Sequence, residues 1–349
     1  MDNMDDLCPD TSSIFDERNE FSRMFRMIMG FSGSQIVHAA ATFSLAEHLA
    51  EGVVTAAEIA ELESTNVDAM FRLMRACASL GLLRYDGKGR FATTDLLNTL
   101  HRDDPHTLRG AALSQPAPLH WMSWGHLSNA IRTGEPQATS ALGCPPWEYL
   151  AKMPAESDAF TMSMHRFSAE VSYDAAILLD TQMVDLAVDI GGASGTLLHA
   201  LMRKNRTLRG VVYDLPHVAS IASEAAYALG LSDRLSVEAG DFFASVPTGD
   251  LYLLKSVLHD WNDDACVSIL SCCRRAINPE GRLVVVDMLV DEIGARGIAP
   301  IIDLTMLVLL GGRQRSLDEY KVLFSAAGFR FVRATPTTTP STLIEAIPI

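Results

Sequence analysis

Through the first third of the chain, apolar residues recur at helical spacing. Met24, Phe25, Ile28, Met29 and Phe31 form one stripe, and Val37, Ala40, Ala41 and Leu45 continue it. Thr55 with Glu58 three positions later makes a capping box and predicts a helix start. A second helix is predicted after Asn66 and Asp68, through Met70, Leu73, Met74, Cys77 and Leu80, stopping at Gly81. Two short apolar runs, 82–85 and 90–94, flank Asp86-Gly87-Lys88-Gly89, which predicts a hairpin. Helix, helix, hairpin is a winged-helix pattern.

From residue 185 onward the pattern changes. Apolar runs at 185–189, 209–213, 235–238, 250–254, 282–287 and 329–333 alternate with helical periodicity at 196–204, 216–228, 263–277 and 317–327. Such alternation predicts an α/β fold, a mostly parallel sheet with helices on both faces. The middle of the chain carries Trp121, Trp124, Trp147, Tyr149 and a Met- and Phe-rich stretch from Phe160 to Phe167, with a break at Pro145-Pro146. The expected division is a mobile acidic arm over 1–15, a mostly helical winged-helix domain over 16–110, linking helices over 111–180 and the α/β domain over 181–349.

Composition narrows the partners. A formal net charge of −15 opposes a nucleic-acid or anionic-membrane partner, since phosphate binding needs concentrated basic surface. The outward residues expected on the winged-helix second helix, Asn66, Asp68, Arg72, Arg75 and Ser79, include only two basic ones. Packing or dimerisation is therefore expected of this domain rather than DNA reading. Cys8, Cys77, Cys144, Cys266, Cys272 and Cys273 form no Cys-x-x-Cys pair and lack a zinc-like histidine spacing, so reduced thiols and no metal are expected. No apolar stretch reaches the roughly 18–20 residues that span a bilayer, and no signal-peptide pattern opens the chain, which points to the cytoplasm.

The densest chemical signal is Asp185-Leu186-Ala187-Val188-Asp189-Ile190-Gly191-Gly192-Ala193-Ser194-Gly195. An apolar run ends in an acid, a glycine-rich turn follows, and a helical pattern begins at Thr196. This is the strand–turn–helix of a nucleotide-binding sheet, with Gly-Gly-x-x-Gly in place of the Gly-x-Gly-x-x-Gly of dinucleotide binders. A nucleoside with an amino-acid tail suits such a turn better than a pyrophosphate. Asp214 closes the second strand, where a carboxylate accepts ribose hydroxyls; the other reading is a helix cap before Pro216. Asp241-Phe242 closes the third, an acid for an adenine amino group beside a ring to pack on it, or a loop acid beside a core aromatic. His259 follows the fourth strand, four positions after Lys255, and Asp287 ends the next. An acid holding one imidazole nitrogen leaves the other to accept a proton. No Walker loop, Gly-x-Ser-x-Gly elbow or paired-carboxylate signature appears. An adenosine-type site beside one histidine base fits group transfer from a nucleoside to a hydroxyl.

With these residues in place, the chain resembles the class I S-adenosylmethionine-dependent O-methyltransferases. The likeness is to the small-molecule branch shared by plant caffeate and flavonoid enzymes and bacterial natural-product enzymes. It covers nearly the whole chain and is most specific at Leu254-Lys255-Ser256-Val257-Leu258-His259-Asp260-Trp261; Trp147-Glu148-Tyr149-Leu150 and the run from Gly311-Gly312-Arg313-Gln314-Arg315-Ser316 to Phe329 add to it. The resemblance implies a Rossmann-like methyltransferase sheet, an N-terminal winged-helix dimerisation domain and a homodimer. It implies S-adenosyl-L-methionine as cofactor, S-adenosyl-L-homocysteine as product, and a small aromatic acceptor. It places Gly191 against the cofactor's amino-acid tail, Asp214 and Leu215 at the ribose, Asp241 and Phe242 at the adenine, Lys255 at the cofactor end of the crevice and Ser168 near the cofactor carboxylate. His259 matches the catalytic base and Asp287 its acidic partner.

An acceptor pocket is expected from Trp121, Trp124, Met164, Phe167, Met306 and Leu310, with Asp260 beside it; core packing is the other reading of the apolar six. Two positions depart from the family. Ala193 stands where a third glycine is usual, and Gln314 stands where a glutamate often accompanies the histidine. A neutral amide can hydrogen-bond the imidazole but stabilises its charged form less, so His259 is expected to lean on Asp287. Two other functions remain open at this stage: non-methylating use of the cofactor (hydroxylation, decarboxylation or pericyclic chemistry) and a nucleoside-sensing winged-helix regulator.

Overall fold

The computed structural model describes residues 19–290, 293–294 and 297–349; the arm expected over 1–15, with Cys8, lies outside them. The chain divides into two compact units, 1–117 with 155–163, and 118–154 with 164–349.

In the first unit, α1 (Glu20–Thr42), α2 (Leu45–Ala50), α3 (Ala56–Leu62) and α4 (Val67–Ser79) lead into a two-stranded antiparallel hairpin, β1 (Leu83–Tyr85) and β2 (Phe91–Thr93), followed by α5 (Asp95–Asn98) and α6 (Arg109–Ser114). The Thr55–Glu58 capping box starts α3. Asp86 Oδ1 accepts from the Lys88 and Arg90 amides and fixes the hairpin turn. Leu45, Ile59, Met74, Cys77, Phe91 and Leu97 form the core. Asn66, Asp68, Arg72, Arg75 and Ser79 all face solvent. On α1, however, Phe21, Met24, Phe25, Met27 and Ile28 are exposed, an apolar face that no other described element covers.

The second unit begins with α7 (Pro118–Trp124), α8 (Leu127–Thr133), α9 (Ala138–Leu142) and α10 (Pro146–Lys152). The long α11 (Pro154–Leu178) follows; residues 155–163 of it group with the first unit. Then come β3 (Leu186–Ile190), α12 (Thr196–Lys204), β4 (Arg209–Asp214), α13 (Pro216–Ala228), β5 (Leu235–Ala239), β6 (Gly249–Lys255), α14 (Asp263–Ala276), β7 (Ile277–Met288), α15 (Ala299–Leu309), α16 (Leu317–Ala326), β8 (Phe329–Pro336) and β9 (Ser341–Pro348). Among the described residues the sheet has seven strands in the order β5-β4-β3-β6-β7-β9-β8, all parallel except β9, which runs antiparallel to its neighbours β7 and β8.

Alternate strand residues feed two cores. Val188, Ile190, Leu254 and Val285 pack with Cys266 and Ile269 of α14 and Tyr320 and Phe324 of α16. Ala187, Val212, Leu253 and Val286 pack with Leu197, Leu198 and Leu201 of α12 and Leu179 beyond α11. This is the Rossmann-like arrangement, with helices on both faces. The strand order reverses between β3 and β6, the switch point where sheets of this kind open a ligand crevice beyond their carboxyl ends.

Two elements were not anticipated. β9 is broken as a pattern by Glu345, which is nonetheless buried, held by Arg282 at 3.1 Å and by Arg333 at 2.5 Å. α15 is apolar almost throughout, so its sequence shows no polar face to reveal the period. No helix among the described residues is long and apolar enough to cross a membrane.

Candidate active site

The glycine turn runs from the carboxyl end of β3 into α12. Gly191 (φ +66°) and Gly195 (φ +78°) take left-handed backbone, as does Ala193 (φ +49°). A Cβ on Gly191 would meet Val257 Cγ2 at 2.9 Å and Phe242 Cε1 at 3.8 Å, so only a bare backbone leaves the cradle between them open. Ala193 at the position of the missing glycine keeps a useful role. Its amide donates to Asp214 Oδ2 at 2.9 Å and ties the turn to the tip of β4.

Asp214 is half-buried, and its Oδ1 accepts from the Leu215 amide at 2.7 Å. Each carboxylate oxygen thus carries one backbone donor and keeps a lone pair for a hydroxyl pair such as a ribose diol. Leu215 is exposed beside it. At the next strand end, Asp241 is exposed and its Oδ1 takes the Phe243 amide at 2.9 Å. Phe242 packs with Phe243 and Trp261, their ring centroids 5.1 and 6.1 Å from its own. These rings form an aromatic wall beside Gly191.

Beneath the turn lies Asp189, fully buried, with Oδ2 lacking a hydrogen-bond partner within the protein. Burial raises its carboxyl to about 7, against the pull of nearby Lys255. Lys255, at the end of β6, faces Asp189 and Asp287, and burial lowers its ammonium below the usual lysine range. An orphaned buried oxygen, a cradle that a side chain would fill, a carboxylate with free lone pairs and an aromatic wall fit a cationic amino-acid nucleoside such as S-adenosylmethionine. Ser168 is half-buried on α11 and makes no hydrogen bond to the glycine turn among the described residues.

His259 sits on a single 3-10 turn, Leu258–Asp260, just past β6. Its Nδ1 donates to Asp287 Oδ1 at 2.9 Å, and its Nε2 lies 3.5 Å from Asp260 Oδ1. With the proton on Nδ1, the Gln314 amide is oriented with its oxygen toward that nitrogen at 3.0 Å, while its NH2 donates to Met288 O at 3.0 Å and Asp287 Oδ1 at 3.1 Å. Asp287 also accepts from the Met288 amide at 2.9 Å and from the Tyr320 hydroxyl at 3.0 Å. Burial opposes charge on His259, but Asp287 and then Asp260 outweigh it and raise the imidazole to about 9. Burial in turn pushes the Asp260 carboxyl up to about 6.

Arg315 explains why the turn keeps its shape. Fully buried, it donates to Leu258 O at 2.9 Å and Trp261 O at 2.7 Å, and to Asp263 at 2.8 and 2.9 Å. Both ends of the turn are thereby held by one guanidinium. The roles of Arg315, Tyr320 and Asp189 are visible only in the folded chain. An arginine and a tyrosine read as surface and core until their burial is known, whereas Asp189 stands out in the sequence as the acid that ends the first apolar run, without a function attached to it.

The expected acceptor residues lie on α7, α11 and α15, with Leu310 at the cap that ends α15. Trp121, Met164 and Phe167 are exposed, and Trp124, Met306 and Leu310 are half-buried. The structure brings α7 against α15. The Gln137 amide ties the preceding loop to Val308 O on α15 at 2.8 Å.

Comparison with known proteins agrees with this geometry. Residues 124–330 match the model of the O-methyltransferase domain, and residues 25–103 match that of the O-methyltransferase dimerisation domain. The chain belongs to the O-methyltransferase family. It is 38% identical over 335 residues to O-demethylpuromycin-O-methyltransferase of Streptomyces alboniger, covering 94% of this chain and 89% of that protein. Mitomycin 7-O-methyltransferase superposes with a TM-score of 0.88 at 33% identity, covering 94% of this chain and 97% of that one. An O-methyltransferase from neocarzinostatin biosynthesis, solved with S-adenosylmethionine and 2-hydroxy-5-methyl naphthoic acid, superposes with a TM-score of 0.80 at 32% identity, covering 91% and 96%. This O-methyltransferase is thus an S-adenosylmethionine-dependent enzyme of the natural-product type.

Proposed function

We propose that the chain methylates a phenolic hydroxyl of a small aromatic natural-product intermediate, with His259 as general base. The observation that carries the base assignment is the Nδ1–Asp287 hydrogen bond, which turns Nε2 toward Asp260 at the crevice. Gly191, Asp214, Leu215, Asp241, Phe242 and Lys255 are assigned to the cofactor, and Ser168 to its carboxylate end. When bound, S-adenosylmethionine supplies a methyl group activated by a sulfonium leaving group.

The protein's part is to bring an oxygen to that methyl and take its proton. A phenol of pKa near 10 is only about 0.1% ionised at pH 7, so in molecules whose His259 is neutral, a form that grows as pH approaches 9, proton removal by Nε2 can supply up to roughly 10³-fold. Asp287 stabilises the imidazolium that forms, and Gln314 holds the ring in the productive tautomer. Trp121, Trp124, Met164, Phe167, Met306 and Leu310 present apolar and thioether surface to a flat ring, and Asp260 lies at its polar edge. The exposed apolar residues of α1, Phe21, Met24, Phe25, Met27 and Ile28, support a homodimer formed through the N-terminal domain. The free thiols of Cys77, Cys144, Cys266, Cys272 and Cys273 accord with a cytoplasmic location.

The test is turnover of His259→Ala across a panel of phenols, with S-adenosylhomocysteine binding measured by calorimetry. Turnover is expected to fall about 10³-fold with cofactor binding retained. A loss below tenfold would remove His259 from the role.

A further inference from the structure

We infer that Tyr320 is a positioning residue for the reaction: acting through Asp287, its hydroxyl limits how tightly His259 holds a proton. The inference rests on the reading of His259 as the base. Tyr320 lies on α16, fully buried, with Oη 3.0 Å from Asp287 Oδ2. The other oxygen, Oδ1, serves His259 Nδ1 and the Met288 amide, each at 2.9 Å. Among the described residues, the phenol is the one donor bonded to Oδ2. Packing alone does not require the hydroxyl, because Phe324, one turn along α16 and with its ring 6.2 Å away, fills the same core without one.

Charged and titratable groups face the pair from every neighbouring element. Asp260 comes from the turn itself, Lys255 from β6, Asp287 from β7, Cys266 from α14, Arg315 from the loop after α15 and Tyr320 from α16. Asp287 and Asp260 strengthen the hold of His259 on its proton, and Lys255 weakens it. Tyr320 stays a donor throughout, because burial and then the Asp287 charge push its ionisation far above the ordinary tyrosine range. Its O–H dipole offsets part of the carboxylate charge that the imidazolium would otherwise receive whole. Without that dipole, His259 releases its proton less readily, and fewer molecules carry the free base near neutrality.

The test follows the His259 ring directly in the full-length enzyme saturated with S-adenosylhomocysteine, by NMR titration of carbon-13-labelled histidine. The His259 signal is identified by its disappearance in His259→Gln. Tyr320→Phe is expected to raise the His259 midpoint by about half to one pH unit. Tyr320→3-fluorotyrosine, a stronger donor of nearly the same shape, is expected to lower it, and decides the matter should Tyr320→Phe not fold. A midpoint unmoved in the folded variants, with only the melting temperature reduced, would overturn the inference and leave the hydroxyl a stability element. Failure of the general-base reading shows separately, as His259→Gln that keeps its turnover.

Discussion

A Cβ placed on Gly312 would stand 2.1 Å from the carbonyl oxygen of His259. The loop after α15 and the catalytic turn therefore meet backbone to backbone, and the Arg313 amide donates to that same carbonyl at 2.8 Å. Gly312→Ala has no room unless the turn moves. A shift near 1 Å in a catalytic group costs about 10²-fold in rate, so kcat should fall by that order. Affinity for S-adenosylhomocysteine, measured by calorimetry, should change little. A kcat within tenfold of the parent enzyme would show that the turn is placed by something other than this contact.

The same loop supplies Arg315, whose bonds to Leu258 O and Trp261 O close both ends of the turn. Arg315→Met keeps much of the volume but strands two carbonyls, each costing about 1–3 kcal/mol when buried without a donor. Urea unfolding should therefore report a loss on the order of 3 kcal/mol. Asp263, with its side chain 58% exposed, is the weak half of the pair. Asp263→Asn should cost less than about 1 kcal/mol. Equal losses in the two variants would mean that the ion pair, rather than the carbonyl clamp, stabilises the turn.

What could be read in advance was local. The glycine turn and the strand-end acids follow from a few consecutive residues, because a strand, a tight turn and a helix leave their marks in order. His259 and Asp287 could be paired because each closes an adjacent strand of one parallel sheet. Tyr320 and Arg315 could not, since their roles depend on which polar atoms a core encloses. Arg315 sits in a run of polar residues that resembles exposed loop, and Tyr320 keeps the spacing of an ordinary core position. Glu345 hid β9 for the same reason: a buried charge looks like a surface one until its two arginines are seen.

The proton on His259 links stability to pH. In the folded chain it is held up to about 9, against 6.5 for an unperturbed imidazole. A proton bound more tightly in the folded state stabilises fully below the unfolded value and stops doing so as pH rises through the folded one. Unfolding free energy should therefore decline between about pH 6.5 and 9, by something on the order of 3 kcal/mol. His259→Gln should flatten that decline in urea titrations run at several pH values. An unchanged slope would place the proton elsewhere.

The α1 face bears on assembly. Met27 and Ile28 are 71% and 60% exposed within one chain, in a row of apolar residues too long for an ordinary monomer surface. A carboxylate buried in a subunit interface loses its hydration without gaining a partner. Ile28→Glu should shift sedimentation from dimer to monomer at micromolar concentration. A variant that still sediments as the dimer would move the interface off α1.

Gln314→Glu tests how far the base is tuned by charge. Gln314 is buried against the imidazole, with Asp287 and Asp260 already on its two nitrogens. A third carboxylate would strengthen the hold of the pocket on the imidazolium, since nearby negative charge favours the protonated ring. The acid limb of kcat/KM should then move to higher pH, by about one unit. Above that limb the variant should match or exceed the parent rate, because the charged ring formed in the transition state is better stabilised. Below it the variant should be slower, because fewer molecules hold the free base. If the limb stays in place while the overall rate drops, the amide acts by fixing the tautomer alone, and its neutrality has no part in setting the working pH.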